Sequence, residues 1–217
     1  MDFLSRDWDA ESARLARRAL RDGAPTSWFE QLYAGGRADL IAMPWDRPEP
    51  LPLLRDRLQD GSGSAVVVGC GLGVDAEFVS SRGYRTTAFD ISETAVSTAR
   101  ERYPDSPVAY RVADLLDPPS GWPGAFDLVV ECINVQALPV DMRPRAVGAV
   151  ADLVAPGGTL IVVENVRADG DALPDRPPWP FSRAEVESFA EHGLRTVAIE
   201  AHDDPTAPRW LAEFTRP

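Results

Sequence analysis

Two rhythms of apolar and polar positions divide the chain near residue 60. From Asp7 to Asp22 the apolar residues recur at helical spacing, with Leu15, Ala19 and Leu20 on offer to one face. Gly23 ends that helix, and Pro25 with Thr26 opens a second short one through Trp28, Phe29, Leu32 and Tyr33, which Gly35-Gly36 is expected to break. Met43 to Pro50 is proline-rich and extended, because each proline fixes φ and disfavours helix before it. Leu51 to Leu58 is predicted as a helix, closed by Gly61-Ser62-Gly63.

Beyond residue 60, short apolar runs alternate with helical stretches. Strands are predicted at 65–68, 84–89, 108–112, 126–130 and 159–163, the first a continuous apolar run suited to burial on both faces. Helices are predicted at 75–81, 92–103, 142–154 and 181–191, with Ser92 and Ser182 as N-caps and Pro156-Gly157-Gly158 stopping the third. Two last strands, 195–200 and 209–214, are joined by a turn through Asp203, Asp204 and Pro205. This order predicts a doubly wound α/β domain around a mainly parallel sheet. Residues 1–60 would be a helical segment covering the site and 61–217 the core, within one structural domain.

Composition narrows the function. The 217 residues carry a formal net charge of −12, which repels a nucleic-acid backbone; Arg14, Arg17, Arg18 and Arg21 sit among acidic residues and read as a solvated helix face. No secretory signal or apolar run long enough for a membrane span is present, so a cytoplasmic protein is expected. Two cysteines, Cys70 and Cys132, and two histidines, His192 and His202, are too few and too scattered for a structural metal site.

In a doubly wound sheet, ligands bind at the carboxyl ends of the strands. The first strand ends in Gly69-Cys70-Gly71-Leu72-Gly73, which lets a ligand approach the backbone and permits positive φ. The following helix points its N-terminus at the same space. Asp90 closes the second strand, where a carboxylate can accept both hydroxyls of a ribose, and Asp114 follows the third, within reach of an adenine amino group. Together they describe an adenosine cradle. A nicotinamide dinucleotide, the rival ligand of an oxidoreductase, wants glycine where Val74 stands.

Four ordered motifs resemble those of class I S-adenosylmethionine-dependent methyltransferases: residues 69–75, 88–92, 126–131 and 153–158. Residues 43–50, preceded by Trp28 to Tyr33, and Ala137-Leu138-Pro139 with Met142-Arg143, are similar to the thiopurine, thiol and halide methyltransferase group. The resemblance implies a seven-stranded sheet with an antiparallel last strand and an N-terminal helical lid. It implies S-adenosylmethionine as cofactor, S-adenosylhomocysteine as product, and a small-molecule acceptor. Gly69, Cys70, Gly71, Gly73 and Asp75 would lie at the methionine portion, Asp90 at the ribose, and Ile91, Asp114 and Leu115 at the adenine. Glu131 and Cys132 would face the cofactor amino group, and Trp28 and Trp45 would close over it.

Relatives carry His or Cys where Gln136 stands, and hydroxyl-bearing residues at the positions of Ile133 and Asn134, so the acceptor is left open between thiol and heteroaromatic sulfur, oxygen or nitrogen. Tyr33, Gln136, Arg143, Trp179 and Phe181 are the candidate acceptor contacts, and Glu131, Asn134 and Gln136 the candidate catalytic groups. Both histidines fall away from the strand ends and read as surface residues. Proximity is therefore the expected catalytic device, in a monomer or homodimer. A catalytically silent cofactor-binding module is the competing reading.

Overall fold

The structure, a computed structural model, describes residues 8–38, 43, 45–204 and 207–217. Asp7, Pro44 and Pro205, which fall within the expected helix, extended stretch and turn, lie outside the described residues. The elements are α1 (Trp8–Arg21), α2 (Ser27–Arg37), α3 (Pro52–Arg57), β1 (Ser64–Val68), α4 (Val74–Ser81), β2 (Arg85–Asp90), α5 (Glu93–Arg102), β3 (Ala109–Val112), β4 (Phe126–Cys132), α6 (Arg143–Asp152), β5 (Val154–Asn165), α7 (Arg183–Glu187), β6 (Arg195–His202) and β7 (Arg209–Thr215).

Seven strands form one sheet in the order β3-β2-β1-β4-β5-β7-β6. All neighbouring pairs from β3 to β5 are parallel, and β7 runs antiparallel to both β5 and β6. Chain order reverses between β1 and β4, so their carboxyl ends border the crevice where such sheets bind ligands. Each face of the sheet is apolar and covered. Val66, Val68, Val129, Leu160 and Val162 pack with Ala146, Val147 and Val150 of α6 and with Phe181, Phe189 and Phe214. Ala65, Val67, Val130, Ile161 and Val163 pack with Leu54 of α3, Val79 of α4 and Val96 of α5. Alternation along each strand delivers one residue to each layer in turn.

Four expectations need correction. Helix α2 continues through Gly35-Gly36 to Arg37, because the glycines make room rather than a break: a Cβ on Gly36 would stand 2.5 Å from Met43 Cε. Strand β5 begins at Val154, so Pro156-Gly157-Gly158 lies within an irregular strand start rather than ending a helix that stops at Asp152. Strand β4 extends to Cys132 and takes in Glu131. Helix α7 covers only Arg183–Glu187 before tightening to 3₁₀ geometry over Ser188–His192, while Phe181 bridges to Val166 before the helix starts. Ser182 does cap α7, through a reciprocal capping box with Glu185.

The N-terminal helices are tied to the core by charge. Glu30 of α2 accepts from Ser92 Oγ at 2.6 Å and Thr94 N at 3.1 Å, at the start of α5, where the helix dipole favours an anion. Arg37 pairs with Glu101, Arg102 with Asp46, and Arg47 with Asp75. Among the described residues, no helix is long and apolar enough to cross a membrane.

Candidate functional site

One continuous cavity of about 640 Å³ opens at the carboxyl ends of β1, β2, β4 and β5. Its two ends are built differently. At the first end, the β1–α4 turn lays Gly69, Cys70 and Gly71 along the wall. Gly69 and Gly71 have φ of +58° and +51°, which L side chains rarely adopt. A Cβ at Gly69 would stand 2.0 Å from Asn134 Oδ1, and one at Gly71 2.8 Å from Tyr33 Oη. These glycines leave a trough that any side chain would fill. Ala113, Asp114, Leu115, Leu116, Phe89 and Ile91 continue the wall with apolar faces suited to a flat ring.

Asp90 sits between trough and ring site, almost fully buried. Its Oδ2 accepts Gly71 N–H at 3.0 Å and its Oδ1 accepts Ser92 N–H at 2.9 Å, which fixes the carboxyl and leaves further lone pairs facing the cavity. Burial outweighs these bonds and pushes its pKa up to about 6. A ligand hydroxyl donating to Asp90 would offset that cost. Asp114 lines the same end, its Oδ1 accepting Leu116 N–H at 2.8 Å.

The N-terminal segment covers the cavity. Trp28, Phe29, Tyr33, Trp45 and Arg47 line it, with Tyr33 and Trp45 meeting edge to face at 6.0 Å. Burial and the nearby Asp90 charge hold Tyr33 well above the usual phenol range, so it stays a neutral donor. Asp75, also in the lining, is committed to Arg47 at 2.6 Å and to Leu51 N–H at 2.9 Å, anchoring this cover.

The second end comes from distant segments: Asn134 and Gln136 after β4, Asn165 at the end of β5, Pro177 and Pro178, and Asp204 with Arg209 at the start of β7. Gln136 is fully buried; its Oε1 accepts Asn165 N–H at 2.9 Å, which fixes the amide orientation and leaves Nε2 without a hydrogen-bond partner among the described residues. Arg209 donates to Asn165 Oδ1 at 2.6 Å and lies 3.8 Å from Asp204. Cys70 and Cys132 line the cavity as well, and burial pushes both thiols well above their ordinary range. They are neutral at physiological pH and poor nucleophiles.

Of the sequence-derived candidates, the cavity brings together Trp28, Tyr33, Trp45, Gly69, Cys70, Gly71, Asp75, Asp90, Ile91, Asp114, Leu115, Cys132, Asn134 and Gln136. Gly73 is instead the left-handed N-cap of α4, where a Cβ would meet Tyr110 Oη at 2.5 Å. Glu131 turns its fully buried carboxyl under the β4 loop, accepting the N–H groups of Asn134 and Val135. Arg143, Trp179 and Phe181 do not border the cavity. Phe181 belongs to the core; the Arg143 guanidinium stacks on it at 4.0 Å, pairs with Glu185 and donates to Trp179 O at 2.5 Å; Trp179 donates its ring N–H to Pro174 O. These three form a buried brace behind the second end, because Trp179 N–H in turn binds Gln136 O at 2.8 Å. His192 packs beside Gly148 and His202 pairs with Glu200 on β6, both apart from the cavity lining.

Asn165 and Arg209 went unrecognised in the sequence. The available signal was the abrupt change from Leu160–Val163 to Glu164-Asn165 at a strand end, where an all-apolar strand gains two polar residues.

Comparison with known proteins agrees with this geometry. Residues 65–158 match a family model described as a methyltransferase domain. The chain is 30% identical to thiocyanate methyltransferase 1 of Brassica oleracea over 172 residues, covering 76% of this chain and 75% of the relative. A solved structure described by the conversion of a disulfide bond into a thioacetal group during echinomycin biosynthesis is 26% identical, with a TM-score of 0.70 over 88% of this chain and 92% of that one. An N-methyltransferase from Bradyrhizobium japonicum, solved with S-adenosylhomocysteine, is 20% identical with a TM-score of 0.61 over 80% of this chain and 92% of its own.

Proposed function

The chain belongs to the class I S-adenosylmethionine-dependent methyltransferases, and from that premise we propose that it methylates a small sulfur nucleophile. The cofactor is S-adenosylmethionine, whose sulfonium supplies an electrophilic methyl group when bound. The glycine trough fits its methionine portion, Asp90 its ribose, and the Ile91 and Leu115 walls its adenine; the second end is then left for the acceptor. Trp28, Tyr33 and Trp45 exclude water, and the aromatic faces favour a nearby cation.

The observation that carries the choice of sulfur is that, Asp90 and Asp114 being taken up at the cofactor end, the rest of the described lining offers no uncommitted base. Asp75 is held by Arg47 and Leu51, Asp204 faces Arg209, and Tyr33 is held as a neutral phenol. An ordinary phenol would need a base to lose its proton, whereas thiocyanate, hydrosulfide or an acidic thiol arrives already anionic. Charge neutralises as such an anion attacks a sulfonium, so a dry pocket lowers the barrier, and positioning alone supplies on the order of 7–11 kcal/mol. Two similar proteins, a thiocyanate methyltransferase and one described by conversion of a disulfide bond into a thioacetal group, belong to sulfur chemistry. The same reading sets the reaction in the cytoplasm, in a monomer or homodimer with no membrane or nucleic-acid partner.

A panel of thiocyanate, hydrosulfide, thiophenol, phenol, catechol and primary amines, scored by S-adenosylhomocysteine formed, tests the proposal. Turnover of the sulfur compounds is expected. Turnover of phenols or amines with every sulfur anion inert would overturn it.

A further inference from the structure

Two glutamates lie directly beneath the acceptor end without entering it. In the parallel register Glu131 of β4 stands beside Val162 of β5, which places Glu164 two residues further along β5 on the same sheet face. Both side chains are fully buried. Glu131 Oε1 accepts Asn134 N–H at 3.0 Å and Val135 N–H at 2.8 Å, and Glu164 Oε1 accepts Gln136 N–H at 3.0 Å. Three successive amides of one loop thus hang on two carboxyls. Neither Oε2 has a hydrogen-bond partner among the described residues, although the Glu131 charge acts on Glu164 across the register.

Two buried carboxylates side by side offer each other only lone pairs, whereas one proton between them lets an orphaned Oε2 of one donate to the orphaned Oε2 of the other. We propose that Glu131 and Glu164 share a single proton and act as one positioning unit, which fixes residues 134–136 and thereby sets the Gln136 side chain against the methyl acceptor. Glu164 holds the proton and donates it to Glu131. Glu131 keeps the negative charge because two backbone N–H groups serve it, against one at Glu164. Burial raises both groups, and the Glu131 charge raises Glu164 further, to well above the carboxylate range. Among described charged groups, Arg143 of α6 faces the pair, but it is already engaged by Glu185 of α7 and by Trp179 O. The identity of what Gln136 meets rests on the proposed function; the shared proton does not.

The test therefore begins without an acceptor. Infrared spectroscopy at about pH 8, far above the ordinary glutamate range, should show the carbonyl stretch of a protonated buried carboxylic acid, lost in Glu164→Gln. That variant retains a donor toward Glu131 and an acceptor for Gln136 N–H, so the amides of residues 134–136 should stay as protected from hydrogen exchange as in the wild type. Glu164→Leu removes both and should lose that protection. With thiocyanate as the acceptor probe, Glu164→Leu should lower kcat/KM by about 10²-fold, the scale of a small misplacement, and Glu164→Gln should restore it. Absence of the acid band in the wild type, or equal protection of the three amides in wild type and Glu164→Leu, would overturn the proposal. Inert thiocyanate with the band and protection pattern intact would count against the sulfur acceptor alone.

Discussion

The two ends of the cavity are held by different kinds of structure. The cofactor end is mostly backbone: positive-φ glycines, one buried carboxylate and the apolar edges of three neighbouring strand ends, all between residues 69 and 116. The acceptor end is mostly side chain, drawn from residues 134, 136, 165, 177, 178, 204 and 209. The first, on the proposed function, would grip the cofactor common to methyltransferases, which accords with its parts lying in short motifs. The second is assembled by the register of β4, β5 and β7, which no local stretch specifies.

Five perturbations would break or sharpen this contrast. The largest effect is expected from Asp90→Ala. Two hydrogen bonds to a charged group are worth about 1.5–3 kcal/mol each, so binding of S-adenosylhomocysteine should weaken by about 10²-fold or more and its thermal stabilisation should vanish. An undiminished thermal shift would remove Asp90 from the cofactor end. Next is Arg143→Met, which removes the buried guanidinium from Phe181, Trp179 O and Glu185 while Glu185 keeps Arg167 at 2.7 Å, and should destabilise the fold by about 1–3 kcal/mol, read by denaturant unfolding. Cofactor affinity should hold, in contrast to a true cavity residue.

Gly69→Ala attacks the point where the ends touch. Its methyl would displace Asn134 and sit at a positive φ, costing about 1–3 kcal/mol and lowering Tm by several degrees. It should impair both cofactor binding and acceptor turnover; loss of only one would show that the ends are less connected than their contact implies. Gln136→Leu should spare cofactor affinity and reduce kcat/KM for the acceptor by about tenfold, the scale of one hydrogen bond.

The smallest effect is in protons. The Asp90 pKa, raised to about 6, favours the protonated form in the free protein, so its contribution to stability is present at low pH and is lost as pH rises through about 6. A cofactor donating hydroxyls to the carboxylate favours the ionised form. Binding near pH 6 should therefore release about half a proton, and affinity should weaken as pH falls below that value. Titration calorimetry in two buffers of different ionisation enthalpy reads the release; proton uptake would reverse the assignment.

Sequence reading located the cavity lining where chemistry and backbone coincide. Gly69 and Gly71 are visible because only glycine suits a tight turn against a ligand, and Asp90 because it closes an apolar strand at the expected distance. The alternation of strands and helices likewise predicted a mainly parallel sheet, and the family resemblance implied its antiparallel β7. Arg143, Trp179 and Phe181 were misplaced because residue type alone does not distinguish a ligand contact from a buried brace; their pairing with Glu185 and stacking exist only in the folded chain. Glu131 and Glu164 each stand out as acidic residues at strand ends, but their pairing across 33 residues exists only in the register of β4 and β5. Asn165 and Arg209 meet only because β5 and β7 are antiparallel neighbours.

A crystal structure with S-adenosylhomocysteine bound tests the central claim most directly. The ribose is expected on Asp90, the adenine between Ile91 and Leu115, and the sulfur directed at the end lined by Gln136, Asn165 and Arg209. A ligand seated with its sulfur toward Asp114, or bound outside this cavity, would contradict it.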